Sequence, residues 1–189
     1  LLGYAQMIAG SSDGKDGVQQ HAEHIVREAR TMNTLVDRFL LFAKPLDVHR
    51  QSMTGSDLQQ DVTAIAEKAG HPVETDIPET LALETDRVLL GNCLDNLVRN
   101  SVQHFSGEAD HHIRVVARQL PAAVEILVID DGPGMDRDTL ERACIPFFTT
   151  RSEGTGLGLA ICEKIITRLG GKMHIASAPG AGTTVTVTI

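Results

Sequence analysis

The chain has few aromatic residues: Phe, Tyr and Trp supply 3% of its 189 residues, and Trp is absent. Its core must therefore be built mainly from aliphatic side chains. No apolar run reaches the roughly 20 residues that a membrane helix requires. The three cysteines, Cys93, Cys144 and Cys162, form no Cys-x-x-Cys pair. This spacing suggests neither a zinc site nor a disulfide framework. Cys93 and Cys162 lie in helix-like apolar stretches, which predicts buried thiols in a reducing compartment.

Positive charge is also in short supply. Seventeen Lys and Arg face 25 Asp and Glu, which gives a net charge of −8. This balance argues against a nucleic-acid partner and means that a polyphosphate ligand needs a locally prepared site. We expect a cytoplasmic fragment that makes no membrane contact itself. Because it opens at Leu1 in helix-like sequence without Met, we expect further segments upstream, which could anchor the parent protein in a membrane.

Residues 18–43 carry apolar side chains at alternating spacings of three and four, which predicts a helix with a heptad seam. The seam consists of Ala22, Ile25, Ala29, Met32, Val36, Phe39 and Ala43. Residues 1–9 predict a second helix, and the polar stretch at 10–17 predicts a turn between the two. Residues 1–45 are therefore predicted to form a helical hairpin that pairs with a second copy in a four-helix bundle. The alternative is that the seam packs on the rest of its own chain.

Residues 46–189 mix the two periodicities. Helices are predicted over 56–69, 86–104, 137–143 and 156–169, and strands near 48–53, 73–77, 81–84, 113–117, 124–128, 172–177 and 183–189. The strands at 113–117 and 124–128 are expected to be antiparallel neighbours. The predicted class is α+β: a helical hairpin, followed by an α/β two-layer sandwich with a mixed sheet and helices on one face.

Asn96 and Asn100 lie one turn apart on the predicted helix 86–104 and share a face, which Gln103 and His104 extend. Amide oxygens are neutral, hard ligands of the kind that Mg²⁺ accepts alongside water and phosphate. The alternative reading is a set of helix-surface amides with no role.

Asp130 follows an apolar strand and precedes Gly132 and Gly134. A carboxylate at a strand end can accept a hydrogen bond from the exocyclic amine of adenine. The glycines allow positive φ and close backbone approach. The alternative is an ordinary strand–turn junction, where Asp and Gly are common.

The stretch Gly154-Thr155-Gly156-Leu157-Gly158-Leu159 opens a predicted helix. Free backbone N–H groups at such an entry can bind phosphates. A Rossmann turn has similar glycines, but this stretch follows a loop and not a strand, and no acidic residue ends a second strand some 20 residues later.

The segment 147–153 predicts a short lid. Phe147 and Phe148 are expected to anchor it, while Arg151, the one cation in the segment, is expected near the phosphates.

Together these motifs resemble the GHKL superfamily, whose Bergerat α/β fold binds ATP, and within it the sensor histidine kinases. The run Leu40-Leu41-Phe42-Ala43-Lys44-Pro45 is similar to kinases related to the nitrogen-regulation sensors. The N box is matched by Asn96 and Asn100, the first glycine box by Asp130, Gly132 and Gly134, the F box by Phe147 and Phe148, the second glycine box by Gly154, Gly156 and Gly158, and a third glycine element by Gly180-Ala181-Gly182-Thr183-Thr184.

The resemblance implies a nucleotide site made of Asn96, Asn100, Gln103, His104, Asp130, Gly132, Gly134, Phe148, Arg151, Gly154, Thr155, Gly156, Leu157, Gly158, Leu159 and Thr183. It also implies Mg²⁺ held by Asn100 and Asn96, and transfer of the γ-phosphoryl group of ATP to a histidine for relay to a response-regulator aspartate. It makes residues 1–45 a partial dimerisation and phosphotransfer hairpin, and 46–189 the catalytic domain. The expected partners are a second copy and a receiver domain.

Two departures from the family pattern carry information. None of the eight histidines is followed by an acidic residue and Asn-Pro or Thr-Pro, as the phosphoacceptor box requires. No catalytic residue is therefore identified, and this chain is expected not to phosphorylate itself. Gln103 stands where many relatives have Lys, which leaves more phosphate neutralisation to Mg²⁺ and Arg151.

Two alternatives stay open. GHKL ATPases and serine kinases place Glu at the position of Asn96, and a Glu can act as a general base whereas an amide cannot. Asn96 therefore favours transfer to histidine over hydrolysis. A scaffold that binds nucleotide without kinase activity is the second alternative.

Overall fold

The structure is a computed structural model, and it describes residues 15–105, 111–151 and 154–189. The chain divides into two units, Leu1–Lys44 and Pro45–Ile189. The predicted helix at 1–9 lies outside the described residues, so the hairpin stays a prediction. Helix α1 spans Lys15–Ala43. It begins three residues before the predicted start, inside the predicted turn.

The seam of α1 is exposed along its C-terminal half. Met32 and Val36 are each 53% exposed and Phe39 is 50% exposed. These three side chains recur at the predicted spacing of four and three, so they form one apolar stripe.

The second unit is built on two sheets. The larger has five strands in the order β2-β4-β5-β7-β6. These strands are β2 (Glu74–Asp76), β4 (Ile113–Gln119), β5 (Val124–Asp130), β6 (Lys172–Ser177) and β7 (Thr183–Thr188). Strand β2 runs parallel to β4, and the other pairs are antiparallel. The smaller sheet pairs β1 (Gln51–Thr54) with β3 (Ala82–Thr85). The predicted mixed sheet is confirmed.

The described residues of this unit form four helices: α2 (Gly55–Ala69), α3 (Arg87–His104), α4 (Arg137–Arg142) and α5 (Gly158–Arg168). Thr54 and Asp57 close a capping box at the start of α2, and Gly70 ends that helix in the left-handed conformation. The predicted start of α5 at Gly156 is wrong, because Gly156 has φ +62° and cannot be helical.

The aliphatic core lies between the sheet and helices α2, α3 and α5. Alternate residues of β4 and β5, such as Val115 and Ile126, are buried together with Leu90 and Leu94 of α3 and Ile165 of α5. The predicted burial of Cys93 and Cys162 is confirmed, since both are fully buried free thiols. Among the described residues, no helix has the length and apolar character needed to cross a membrane.

Candidate nucleotide site

Asp130 ends β5, and three donors hold its carboxylate. The backbone N–H groups of Gly132 and Thr183 donate to Oδ1 at 3.0 and 3.2 Å. The Ser101 hydroxyl, which comes from α3, donates to Oδ2 at 2.8 Å. A carboxylate has about four acceptor positions, so Oδ2 keeps one position open for a ligand.

Two glycines near Asp130 are required because the backbones of neighbouring turns pack directly against them. A β-carbon at Gly182 would lie 1.9 Å from the backbone oxygen of Asp130, and one at Gly134 would lie 2.0 Å from that of Ala178. Gly134 has φ +68° as the sequence predicts, whereas Gly132 does not adopt positive φ. Gly132 instead leaves space for the carboxylate, because a β-carbon there would be 2.9 Å from Oδ1 of Asp130.

Asn96 and Asn100 are both half-buried on α3. Asn96 turns its Nδ2 back to donate to the backbone oxygen of Asn92 at 3.0 Å, so its Oδ1 remains available. Within the described residues, the Asn100 side chain makes no hydrogen bond. Its amide lies against the start of α5, where a β-carbon added at Gly158 would lie 3.3 Å from both its nitrogen and its oxygen.

The end of α3 brings two further predicted residues to the lid. His104 Nδ1–H donates to the backbone oxygen of Asn100 at 2.6 Å, which fixes the ring beside the N box. The Arg151 guanidinium donates from Nη1 to Oε1 of Gln103. Gln103 therefore holds Arg151, the cation expected near the phosphates.

Backbone contacts join the F box to the second glycine box. Phe147 N–H donates to the Gly156 oxygen at 2.9 Å, and a β-carbon at Gly156 would lie 2.4 Å from the Phe147 carbonyl carbon and 2.6 Å from the Phe148 nitrogen. Only glycine fits there. The predicted anchoring role of Phe147 is wrong: it has φ +67° and is 62% exposed. Phe148 is half-buried under the guanidinium of Arg142, which lies 4.1 Å from the ring centroid.

The entry to α5 keeps backbone donors free. Leu157 N–H donates to Thr155 Oγ1 at 3.3 Å, and no side chain among the described residues caps the helix. The first-turn N–H groups, including those of Gly158 and Leu159, therefore have no capping acceptor, which is the arrangement that binds anions. The Leu157 side chain is 2% exposed and packs in the core, so it can meet a nucleotide only through its backbone.

Residues 85–189 match the family described as "Histidine kinase-, DNA gyrase B-, and HSP90-like ATPase". The chain belongs to this family.

Two curated relatives are sensor kinases of Escherichia coli (strain K12). The chain is 30% identical over 195 residues to the sensor histidine kinase ZraS, with 99% of this chain and 41% of ZraS covered. It is 29% identical over 194 residues to the signal transduction histidine-protein kinase AtoS, with 99% of this chain and 31% of AtoS covered. The chain thus spans less than half the length of either relative.

Solved structures agree with this assignment. The catalytic domain of histidine kinase ThkA superposes with a TM-score of 0.63 at 31% identity, covering 75% of this chain and 95% of that one. A structure of ThkA in complex with the response regulator protein TrrA gives a TM-score of 0.76 at 25% identity, covering 99% of this chain and 55% of that one. The predicted family is confirmed, and this chain contains the ATP-binding catalytic portion of a sensor histidine kinase.

In this member of the family, several of the predicted site residues fall into three groups. Asp130, Gly132 and Thr183 are joined by hydrogen bonds at one end. Asn100 contacts the entry to α5, and Gln103 contacts the lid through Arg151.

Sequence reasoning missed Ser101, which ties the first group to α3. Its position directly after Asn100 was the available signal.

An aromatic cluster beside Gly132 was also missed. Phe105 stacks on His111 with ring centroids 4.3 Å apart, and its ring lies 3.6 Å from the β-carbon position of Gly132. His111 Nδ1 lies 3.2 Å from Oδ1 of Asp131, which also accepts from His112 N–H at 3.0 Å. The His112 N–H group, and to a lesser extent His111, lower the pKa of Asp131 against the opposing effect of burial. Asp131 is therefore ionised at neutral pH, and its carboxylate holds His111 and the backbone of His112 next to β5.

Proposed function

We propose that this domain binds ATP with Mg²⁺ and transfers the γ-phosphoryl group to a histidine, from which it passes to an aspartate of a response regulator. The proposal rests on two features of the site, one suited to the base of a nucleotide and one suited to its phosphates. Asp130 offers a held carboxylate with one open acceptor position, and the entry to α5 offers uncapped N–H donors. A purine nucleotide matches both ends, with an amine at the base and negative charge at the phosphates.

The N box fits Mg²⁺ as a nucleotide-borne ion. Asn100 leaves its amide unbonded among the described residues, and Asn96 commits only its nitrogen. The two amide oxygens are neutral, so the phosphates must supply the negative charge that balances Mg²⁺. This agrees with the preference of Mg²⁺ for phosphate and water ligands. Bound there, Mg²⁺ would neutralise charge on the phosphates. Asn100, with Asn96 in support, would hold it.

The remaining residues orient the reaction. Arg151, presented by Gln103, adds positive charge on the lid side, and the uncapped N–H groups of Gly158 and Leu159 bind phosphate oxygens. The histidine lone pair forms the new P–N bond as the bond between the γ-phosphorus and the β-phosphate oxygen breaks, ADP departs, and the imidazole releases its N–H proton to solvent. Asn96 has no basic atom, so it cannot activate water. Histidine needs no such base because its neutral ring carries a lone pair.

The apolar stripe of α1 supports a homodimer as part of this proposal. Met32, Val36 and Phe39 are half-exposed at heptad spacing in a single chain, and a second copy of the same stripe would cover them in a helical bundle. The response regulator is proposed as partner by analogy with the ThkA–TrrA complex.

Transfer of labelled phosphate tests the proposed function. The chain is incubated with labelled Mg-ATP and a helical hairpin that carries the family's phosphoacceptor box, and acid-labile phosphate on the hairpin is measured. Asn100→Ala should abolish labelling and Asn96→Ala should reduce it. Asn92→Ala is the matched control, since Asn92 is exposed one turn before Asn96 on the same helix, and it should label normally. Equal labelling by Asn100→Ala and the control would refute the proposal.

A further inference from the structure

Ser101 connects the two chemical halves of the candidate site. It follows Asn100 on α3, is 6% exposed, and reaches across to the end of β5. Its hydroxyl has one proton, which donates to Asp130 Oδ2 at 2.8 Å. The other acceptor in reach is the backbone oxygen of Leu97 at 3.4 Å. A short bond to a carboxylate is much the stronger of the two, so the proton belongs to Asp130.

The other carboxylate oxygen is already saturated. Asp130 Oδ1 accepts from both Gly132 N–H and Thr183 N–H. Oδ2 is therefore the atom left for a base, and without Ser101 it would have two open acceptor positions. The Ser101 proton fills one of them and fixes the rotation of the carboxylate, so the remaining position points in a single direction.

We propose that Ser101 is a positioning residue that sets base selectivity by holding Asp130 Oδ2. The inference rests on the proposed placement of the base at Asp130. With Ser101 present, Asp130 Oδ2 offers the base one open acceptor position. This position accepts a hydrogen bond from the exocyclic amine of adenine, but it repels a base that carries a carbonyl oxygen in place of that amine. Without Ser101, the vacated position can take a water, and a bridging water can donate to such a carbonyl.

Two nucleotides that differ only at positions 1 and 6 of the base test this effect. ADP carries the amine at position 6 of the base, and inosine diphosphate carries a carbonyl oxygen there. Neither has a transferable phosphoryl group. Ser101→Ala suits the test because Ala favours helix and leaves the backbone unchanged. Thr63→Ala is the control: it removes a hydroxyl from another helix of the same unit, where that hydroxyl donates to the backbone oxygen of Gln59 at 2.9 Å on α2.

Calorimetric titrations of the wild type, Ser101→Ala, Asp130→Asn and the double variant complete the test. Ser101→Ala should weaken ADP binding by about 3- to 10-fold, the range of one ordinary hydrogen bond, because the released carboxylate loses part of its bond to the base. It should weaken inosine diphosphate binding less, so the ratio of the ADP affinity to the inosine diphosphate affinity should fall. In the Asp130→Asn background the same change should have little further effect, because the group through which Ser101 acts is gone. Thr63→Ala should match the wild type.

The outcomes distinguish the positioning role of Ser101 from the placement of the base at Asp130. If Asp130→Asn weakens ADP binding but Ser101→Ala changes nothing, lowers both affinities equally, or adds its full effect to Asp130→Asn, then Ser101 is only structural and this inference is overturned. If Asp130→Asn itself leaves ADP affinity unchanged, the placement of the base is wrong and both claims fall.

Discussion

Asn100 lies directly against Gly158: a β-carbon at Gly158 would sit 3.3 Å from both polar atoms of the Asn100 side chain. The N-box helix and the phosphate-side helix meet at this point, and only a residue without a side chain leaves the amide undisturbed. The contact explains why a glycine begins α5, although glycine is a poor helix former.

Gly158→Ala should therefore lower Mg-ATP affinity without lowering the free energy of unfolding. The added methyl must displace the Asn100 amide by a few tenths of an ångström, so Mg-ATP affinity should fall several-fold. The free energy of unfolding should hold or rise, since replacing a helical Gly by Ala favours the helix by up to about 1 kcal/mol. Calorimetry with Mg-ATP and urea unfolding measure the two effects.

The matched control is Gly91→Ala, in the interior of α3, where a β-carbon meets nothing within 4 Å. It should raise stability by roughly 0.5–1 kcal/mol and leave nucleotide affinity unchanged. Equal Mg-ATP affinities for both alanine variants would contradict a functional contact between Asn100 and Gly158.

Arg151 should act on phosphates and not on the base. Arg151→Met keeps the length of the side chain and removes its charge, so ATP affinity should fall by about 3- to 10-fold at low salt and the loss should shrink as salt rises. AMP affinity should stay constant. Arg137→Met removes one charge from a side chain on α4 that is 91% exposed, and it controls for net charge. A similar loss of ATP affinity in both variants would show that Arg151 has no specific role.

Asp86 fixes the start of the helix that carries the N box. Its Oδ1 accepts from Val88 and Leu89 N–H at 3.0 Å each, and its Oδ2 accepts from His49 N–H at 2.8 Å. Burial raises the pKa of Asp86, but the three N–H groups together outweigh burial and leave this pKa below the ordinary value of 3.8. The ionised cap therefore contributes stability above about pH 4, and that contribution is lost as the pH falls through the lowered pKa.

Asp86→Asn should lower the free energy of unfolding by about 1–2 kcal/mol at pH 7. Its amide nitrogen would also face the His49 N–H group. Urea unfolding of wild type and variant should give a smaller difference at acid pH than at pH 7. Asp138→Asn removes an exposed carboxylate that pairs with Arg142, and it should change stability by less than about 0.5 kcal/mol. A pH-independent difference for Asp86→Asn would contradict the assigned cap.

The sequence was sufficient for most of the element order and for the shared face of Asn96 and Asn100, because these depend on local periodicity. It was insufficient for contacts between elements. The parallel pairing of β2 with β4 and the bond between Ser101 and Asp130 join segments about 30 or more residues apart, and no local pattern encodes them. The exposure of Phe147 was mispredicted for another reason. Phe147 combines a positive φ with a backbone hydrogen bond to Gly156, and neither feature can be inferred from the hydrophobicity of its side chain.

Titration of the Asp130→Asn variant with Mg-ATP tests the central claim most directly. Asn can still accept from Gly132 and Thr183, but its Nδ2 would place a donor where the adenine amine also donates. ATP affinity should therefore fall by about 10-fold or more, equivalent to 1.4 kcal/mol or more, with an unchanged circular dichroism spectrum. Asp138→Asn, which removes a carboxylate on α4 whose side chain is 79% exposed, should bind within about twofold of the wild type. Wild-type affinity in Asp130→Asn would contradict the account.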